Sequence, residues 1–273
     1  MSVRLVCWNI AKMREPWRQL VSMPGVDVAL LQETGIPAPD IAGQVELGPV
    51  DHYDSHVWNS NWYEGRWPHL LERWPMVVRL SDRVKIEWFK QVSPISLVDE
   101  DEIAVSGIGT IAAARVSPRD TGTQPFIVVS AYARWLSPHP SASTNFRVGY
   151  PDASAHRIIS DLSAFIGNTD PGTHRVILAG DFNMSNDDDA PDQEFLRRER
   201  TVWDRLEALG LEYLGPLLAP TFLPRGQPPE AASGQLDHVF ASRGLHEEIR
   251  VRAVNSPEEW GASDHCRIVI DVD

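Results

Sequence analysis

Residues 176–183 read Val176-Ile177-Leu178-Ala179-Gly180-Asp181-Phe182-Asn183, and the placement this stretch demands decides the fold. Four apolar residues in succession, two of them β-branched, predict a strand buried on both faces. An ionised carboxylate is costly in an apolar interior, so Asp181 belongs where the strand end opens onto a cleft. Three other β-forming runs meet polar residues in the same way. Val3-Arg4-Leu5-Val6-Cys7 leads into Trp8-Asn9, and Val26-Asp27-Val28-Ala29-Leu30-Leu31 into Gln32-Glu33. Ser263-Asp264-His265 stands just before Arg267-Ile268-Val269-Ile270. A sheet aligns the ends of its strands, so these polar and acidic groups are expected to converge on one cleft.

Outward from this frame the chain alternates strands with helices. Strand-like runs occur near 3–8, 26–32, 75–80, 84–89, 108–116, 125–132, 175–180, 236–241, 249–254 and 266–272. Ile158, Ile159, Leu162, Phe165 and Ile166 recur at helical spacing over 153–167, with Asp152 or Ser154 as cap. Phe195, Val202, Leu206 and Leu209 repeat the pattern over 192–209, and Gly210 is a natural stop. A short helix is predicted from Pro16 towards Ser22, ended by Pro24-Gly25. Consecutive strands from about 75 to 132 without an intervening helix argue against a wholly parallel sheet. The expected class is α/β, with mixed sheets packed face to face and helices outside. The least regular stretches are 35–70, 135–152, 184–192 and 215–235.

The chain has 273 residues, 42% of them hydrophobic, enough for one large α/β domain. One domain over 1–273 is expected because the cleft needs both ends of the chain. No run approaches the ~20 apolar residues that span a bilayer, so no membrane insertion is expected. The N-terminus enters a strand directly and shows no secretory leader, which makes a cytoplasmic enzyme the simplest reading. Cys7 and Cys266 read as buried reduced thiols rather than a disulfide or metal site. The formal charge of −13 disfavours tight, processive binding of polyanions without excluding a nuclease, because metal ions bridge carboxylates to phosphate.

The strand-end set, Asn9, Glu33, Asp181 with Asn183, and Asp264 with His265, has the chemistry of a divalent-metal phosphoesterase. Glu33 ends a nearly all-apolar strand, and metal ligation is favoured there over a buried salt bridge. Asn9 has an amide to hold Glu33 or a phosphate, or serves only as a turn residue. Asp181 and Asn183 alternate across Phe182, so on an extended backbone both face one side while Phe182 enters the core; the alternative is an Asx turn leading into 184–192. A carboxylate there orients and deprotonates the attacking water, and the amide fixes it or the phosphate. Protonated, His265 would stabilise charge building on phosphate oxygens, leaving Asp264 free for the metal. His238 reads as a packed residue behind Asp237, and Asp187-Asp188-Asp189 as a solvated loop. Tyr132 is either a hydroxyl donor to phosphate or a core aromatic. Arg134, His139, Arg147, His156 and Arg157 surround a long loop and helix start and are candidate phosphate contacts. Trp58, Trp62, Trp67 and Trp74, interleaved with Arg66 and Arg73, form either a base-stacking platform or loop packing.

The order and spacing of these strings, from Asn9 to His265, resemble the endonuclease/exonuclease/phosphatase superfamily. That group includes DNase I-like nucleases, exonuclease III-like AP endonucleases, inositol-phosphate 5-phosphatases, deadenylases and bacterial sphingomyelinases. The resemblance implies a DNase I-like four-layer sandwich, two stacked mixed sheets flanked by helices. Tyr132 sits where the AP endonuclease branch has an active-site tyrosine. Asp237, in Leu236-Asp237-His238-Val239-Phe240, matches the late aspartate, and Thr221-Phe222 the aromatic turn before it. The resemblance also implies that Asp181 is the base and that Asp237 pairs with His265, fixing its tautomer and raising its basicity. Two positions depart from the AP endonuclease pattern. Ala11 stands where an acidic metal contact is usual, and Ser233-Gly234-Gln235 where an aromatic lines the sugar pocket. No signature of the inositol-phosphatase branch or of a membrane-inserting sphingomyelinase hairpin is visible.

The expected function is an Mg²⁺- or Mn²⁺-dependent phosphodiesterase, a nuclease cleaving DNA or RNA by in-line attack of water. The alternative keeps the site and changes the substrate to a small phosphoester such as a nucleotide, inositol phosphate or lipid head group. A non-catalytic binder on the same scaffold would be expected to lose the water-activating Asp or the late His; this chain keeps both.

Overall fold

Residue alternation along Ile177-Leu178-Ala179 divides the interior in two, and the whole architecture follows that division. The computed structural model describes residues 2–34, 37–49, 75–92, 98–106, 109–119, 122–134, 151–185, 193–217 and 219–273. In chain order the elements are β1 (Val3–Asn9), α1 (Glu15–Ser22), β2 (Val28–Gln32), β3 (Met76–Arg79), β4 (Val84–Trp88), β5 (Lys90–Val92), β6 (Glu102–Ala104) and β7 (Ile111–Pro118). There follow β8 (Phe126–Tyr132), α2 (Pro151–Ile166), β9 (Val176–Asp181), α3 (Gln193–Ala208), β10 (Leu211–Gly215), β11 (Asp237–Ser242), β12 (Ile249–Val254) and β13 (Arg267–Val272).

One five-stranded sheet runs β12-β13-β1-β2-β3 and one six-stranded sheet runs β10-β11-β9-β8-β7-β4. Each is mixed, with one parallel pair, β1 with β2 and β8 with β9, among antiparallel neighbours. β5 and β6 form a separate small parallel ribbon. Ile177 and Ala179 of β9 face the other sheet, in a cluster with Leu5, Leu30, Val128 and Ile270. Leu178, between them, packs instead with Ile158 and Leu162 of α2 and Val202 and Leu206 of α3. α1 adds Trp17 and Leu20 to the first cluster. The result is the four-layer α/β sandwich expected from the sequence. Each large aliphatic side chain buried here contributes on the order of 1.5–3 kcal/mol.

The helices begin and end for local reasons. Pro16 occupies the first turn of α1 behind an acidic Glu15, and Asp152 lies in the first turn of α2. Past α3, Gly210 adopts φ +78° and its amide donates to the Glu207 carbonyl at 2.8 Å. Strands β5, β6 and β10 were not expected from the sequence. β10 has the partial burial of an edge strand and no clean alternation. Between the sheets, Gln32 Nε2 donates to Ser130 Oγ (2.9 Å), and that hydroxyl donates to the Leu31 carbonyl (2.9 Å). Cys7 and Cys266 are free and buried. The Trp58, Trp62, Trp67 and Trp74 group with Arg66 and Arg73, His139, Arg147 and the Asp187–Asp189 run lie outside the described residues. Among those described, no helix is long and apolar enough to cross a membrane.

Candidate active site

Strand register assembles the acids. β8 pairs with β9 so that Tyr132 aligns with Asp181, and β11 pairs with β9 so that Asp237 aligns with Asp181. Tyr132, Asp181 and Asp237 therefore form one row across three neighbouring strands. The approach of β8 to β9 requires Gly180, because a Cβ there would lie 1.9 Å from the Ala131 carbonyl oxygen.

The opposite sheet delivers Asn9 to this row. Its Nδ2 donates to Asp181 Oδ2 at 2.9 Å, and its Oδ1 accepts from the Ala11 amide at 3.0 Å. The side chain thus holds Asp181, a partner the sequence did not suggest, and makes a turn as well. Phe182 is fully buried as expected. The backbone then leaves the extended form, with Asn183 at φ 52°, a conformation asparagine tolerates. Its amide N–H donates to Asp181 Oδ1 (2.8 Å), while Nδ2 donates to Asp181 Oδ2 (3.1 Å) and to the Ala133 carbonyl (3.2 Å). Asp181 and Asn183 meet through an Asx turn rather than through strand alternation.

His265 closes the other side. Its Nδ1 donates to Asp237 Oδ2 at 2.7 Å, and its Nε2 lies 3.9 Å from Asp181 Oδ2. The main chain is pinned by Trp8 Nε1 donating to the His265 carbonyl (2.8 Å) and by Ser263 Oγ donating to the Asn9 carbonyl (2.6 Å). Thr221 Oγ1 accepts from the Asp237 amide at 3.1 Å, and the Phe222 ring lies 5.2 Å from the imidazole. Burial by itself would disfavour charge on His265, but Asp237 and Asp181 outweigh it and raise the imidazole above its ordinary value. The Asp181 carboxyl is also raised: burial is the main cause, the His265 charge opposes it, and Asp237 adds to it. A buried carboxylate made more basic than usual faces a histidine biased towards its charged form.

Glu33 follows β2 at φ 45°. Tyr132 donates its hydroxyl to Glu33 Oε1 at 2.8 Å, and Lys12 Nζ lies 3.6 Å from Oε2. Burial, with Glu33 and Asp181 nearby, raises the Tyr132 phenol far above its usual range, so it stays a donor. Asp264 is half-buried, with its Oδ1 3.3 Å from Ser263 Oγ. The same serine hydroxyl is bonded to the Asn9 carbonyl, which ties Asp264 to the end of β1. Asp181, Asp237 and His265 each offer one ligand atom within 4.8 Å of the others. Asp237 Oδ1 is buried with no hydrogen-bond partner among the described residues. An orphaned carboxylate oxygen amid hard oxygen donors fits a divalent cation of the Mg²⁺ or Mn²⁺ kind.

The basic candidates separate. Arg134 is half-buried two residues beyond Tyr132, and its charge is felt by that phenol. His156 instead joins α2 to α3, its Nδ1 meeting Arg205 Nη1 at 2.7 Å, and Arg157 is exposed. Neither contacts the acidic cluster among the described residues. His238 is fully buried, with Nε2 donating to the Met184 carbonyl (2.8 Å) and the Trp203 ring 4.9 Å away. Burial lowers it to about 4, so it packs as a neutral ring. Lys12 was missed in the sequence; its only signal there is a lone cation three residues past Asn9.

The sequence matches the Endonuclease/Exonuclease/phosphatase family over residues 6–265. No curated protein matches it. Among solved structures, it resembles the endonuclease domain of TRAS1, a telomere-specific non-LTR retrotransposon. The TM-score is 0.61 at 16% identity, with 100% of this chain and 98% of that chain covered. The AP endonuclease LMAP from Leishmania major gives 0.61 at 16% identity, covering 99% and 87%. The 3′ phosphatase NExo from Neisseria, solved bound to a product DNA hairpin, gives 0.55 at 15%, covering 99% and 99%. These likenesses share the fold, and the family match covers both strand-end motifs at the extremes of the site. The chain belongs to the endonuclease/exonuclease/phosphatase family of phosphoesterases.

Proposed function

We propose that this chain is an Mg²⁺- or Mn²⁺-dependent phosphodiesterase, a nuclease hydrolysing DNA or RNA by in-line attack of water. The observation that carries this is the environment of Asp181: both carboxylate oxygens are fixed by Asn9 and Asn183, with the His265–Asp237 pair 3.9 Å away. Glu33 and Asp264, with Asn9, would hold the cation. A bound cation supplies Lewis acidity towards the phosphoryl oxygens and lowers the pKa of water.

The remaining work falls to the side chains. Asp181 accepts the proton of the attacking water, and burial favours this by making its carboxylate a stronger base than usual. Asn9 and Asn183 fix the carboxylate so that little reorganisation accompanies proton transfer. His265, charged and held through Nδ1 by Asp237, presents Nε2–H to the phosphoryl oxygens as negative charge builds. Tyr132 fixes Glu33, and Arg134, two residues further along the chain, is a candidate phosphate contact. His156 and Arg157 are retained only as contacts to substrate lying beyond the row, over α2.

Residues 1–273 then act as one catalytic domain, since Asn9 and His265, near opposite ends of the sequence, meet at Asp181. A cytoplasmic setting is part of this reading, supported by two unpaired buried thiols. The net charge of −13 favours a second reading, in which the substrate is a small phosphoester and not a polyanion. Plasmid DNA, RNA oligomers and small phosphoesters assayed in parallel with Mg²⁺ separate the two. Cleavage of polynucleotide supports the nuclease. Turnover of small phosphoesters alone would replace it with the second reading.

A further inference from the structure

The 9–12 turn holds a cation of its own against the proposed metal ligand. Ala11 and Lys12 both sit at positive φ, 48° and 57°, a conformation costly for residues carrying a Cβ. The turn is clamped by the Lys12 amide donating to the Glu33 carbonyl at 2.8 Å and the Met13 amide donating to the Ile10 carbonyl at 2.9 Å. This geometry carries the Lys12 ammonium to 3.6 Å from Glu33 Oε2, while Tyr132 occupies Oε1. Both oxygens of Glu33 are thereby engaged. Ala11, the residue between Ile10 and Lys12, offers no side-chain ligand.

We infer that Lys12 is a charge-exchange residue: its ammonium neutralises Glu33 until a divalent cation binds there, and then serves the substrate phosphate. This rests on the proposed role of Glu33 in holding the cation. An ammonium close to Glu33 Oε2 repels a dication on the same carboxylate, so cation binding must release it. Once released it remains tethered at the rim by the strained turn. There it is a strongly hydrated, mobile point charge suited to a phosphate oxygen. Lys12 accordingly weakens cation binding and strengthens phosphate binding. A purely structural role for the ion pair would push both in the same direction.

The test measures binding, with catalysis set aside. Mg²⁺ affinity of wild type, Lys12→Ala, Lys12→Arg and Glu33→Gln is measured by calorimetry on the full chain. Inorganic phosphate affinity is then measured at saturating Mg²⁺. The Lys12 and Glu33 side chains are 39% and 27% exposed, so screening keeps the effect modest. Lys12→Ala is expected to tighten Mg²⁺ by about three- to tenfold and to weaken phosphate by a similar factor, both effects shrinking at high salt. Lys12→Arg should stay near wild type in both. Equal or weaker Mg²⁺ affinity in Lys12→Ala, with wild-type binding that Glu33→Gln abolishes, would overturn this role of Lys12 alone. Wild-type Mg²⁺ binding that Glu33→Gln leaves intact would overturn the assignment of Glu33 and this inference with it. Circular dichroism of Lys12→Ala confirms that the turn survives; should it not, Lys12→Gln replaces it in the same pair of measurements.

Discussion

Replacing Asp237 by Asn removes one charge from the site while keeping an acceptor for His265 Nδ1. The bond it weakens is 2.7 Å long, between side chains 6% and 1% exposed, where solvent screens little. A hydrogen bond to a charged group contributes about 1.5–3 kcal/mol, which is about 10- to 150-fold in rate if it is needed in the transition state. Asp237→Asn should therefore lower kcat by that factor. Asp237 also raises the His265 pKa, whereas burial opposes charge. In the variant the imidazolium is lost at lower pH, so the alkaline limb of the kcat profile shifts towards neutrality. The sign for stability follows from the same linkage. The His265 contribution is fully present below the ordinary imidazole value and disappears as pH rises through the raised folded value. His265→Ala should be more severe, and the double variant little worse than His265→Ala, because the two act through one interaction. The assay is steady-state hydrolysis across pH for the three variants, with thermal unfolding to separate loss of fold. Independent, multiplicative losses with an unmoved alkaline limb would refute the pairing as the route by which Asp237 acts.

Asp181→Asn keeps the shape of the row but removes the base; kcat should fall by about 100-fold or more while substrate binding persists, and a near-normal rate would show the base is misassigned. Tyr132→Phe strips the donor from Glu33 Oε1 and should lower activity by about tenfold with little change in unfolding temperature, the magnitude of one hydrogen bond to a charged group. Gly180→Ala places a Cβ 1.9 Å from the Ala131 carbonyl, a backbone clash no rotamer relieves. Thermal unfolding should show a loss of more than about 3 kcal/mol or failure to fold.

The strand frame was legible because the core strands carry their own evidence. β9 is apolar at every position before Gly180 and is buried on both faces, as that run requires. The same holds for β2 up to Gln32. β10, Leu211-Glu212-Tyr213-Leu214-Gly215, has no such run, and its pairing with β11 is fixed by tertiary packing. Within the site, the alignment of Tyr132, Asp181 and Asp237 could be anticipated from strand ends. The partner of Asn9 could not, because Asp181 lies in the opposite sheet and no local pattern encodes how two sheets stack. Asn183 shows the other limit: its side chain reaches Asp181 only because the backbone turns at φ 52°, where alternation predicts extension. His156 looked like a phosphate ligand at a helix start. Its Nδ1 also meets Arg205, a helix–helix contact that spacing along one helix does not reveal.

Chelation tests most directly whether a cation acts with Asp181 on a phosphodiester. The protein is stripped with EDTA, and hydrolysis of a DNA or RNA oligomer is followed as Mg²⁺ or Mn²⁺ is titrated back, in wild type and Glu33→Gln. Hydrolysis absent in chelator, restored by either ion in wild type, and requiring far more ion in Glu33→Gln is the predicted result. Undiminished hydrolysis in excess EDTA would contradict it.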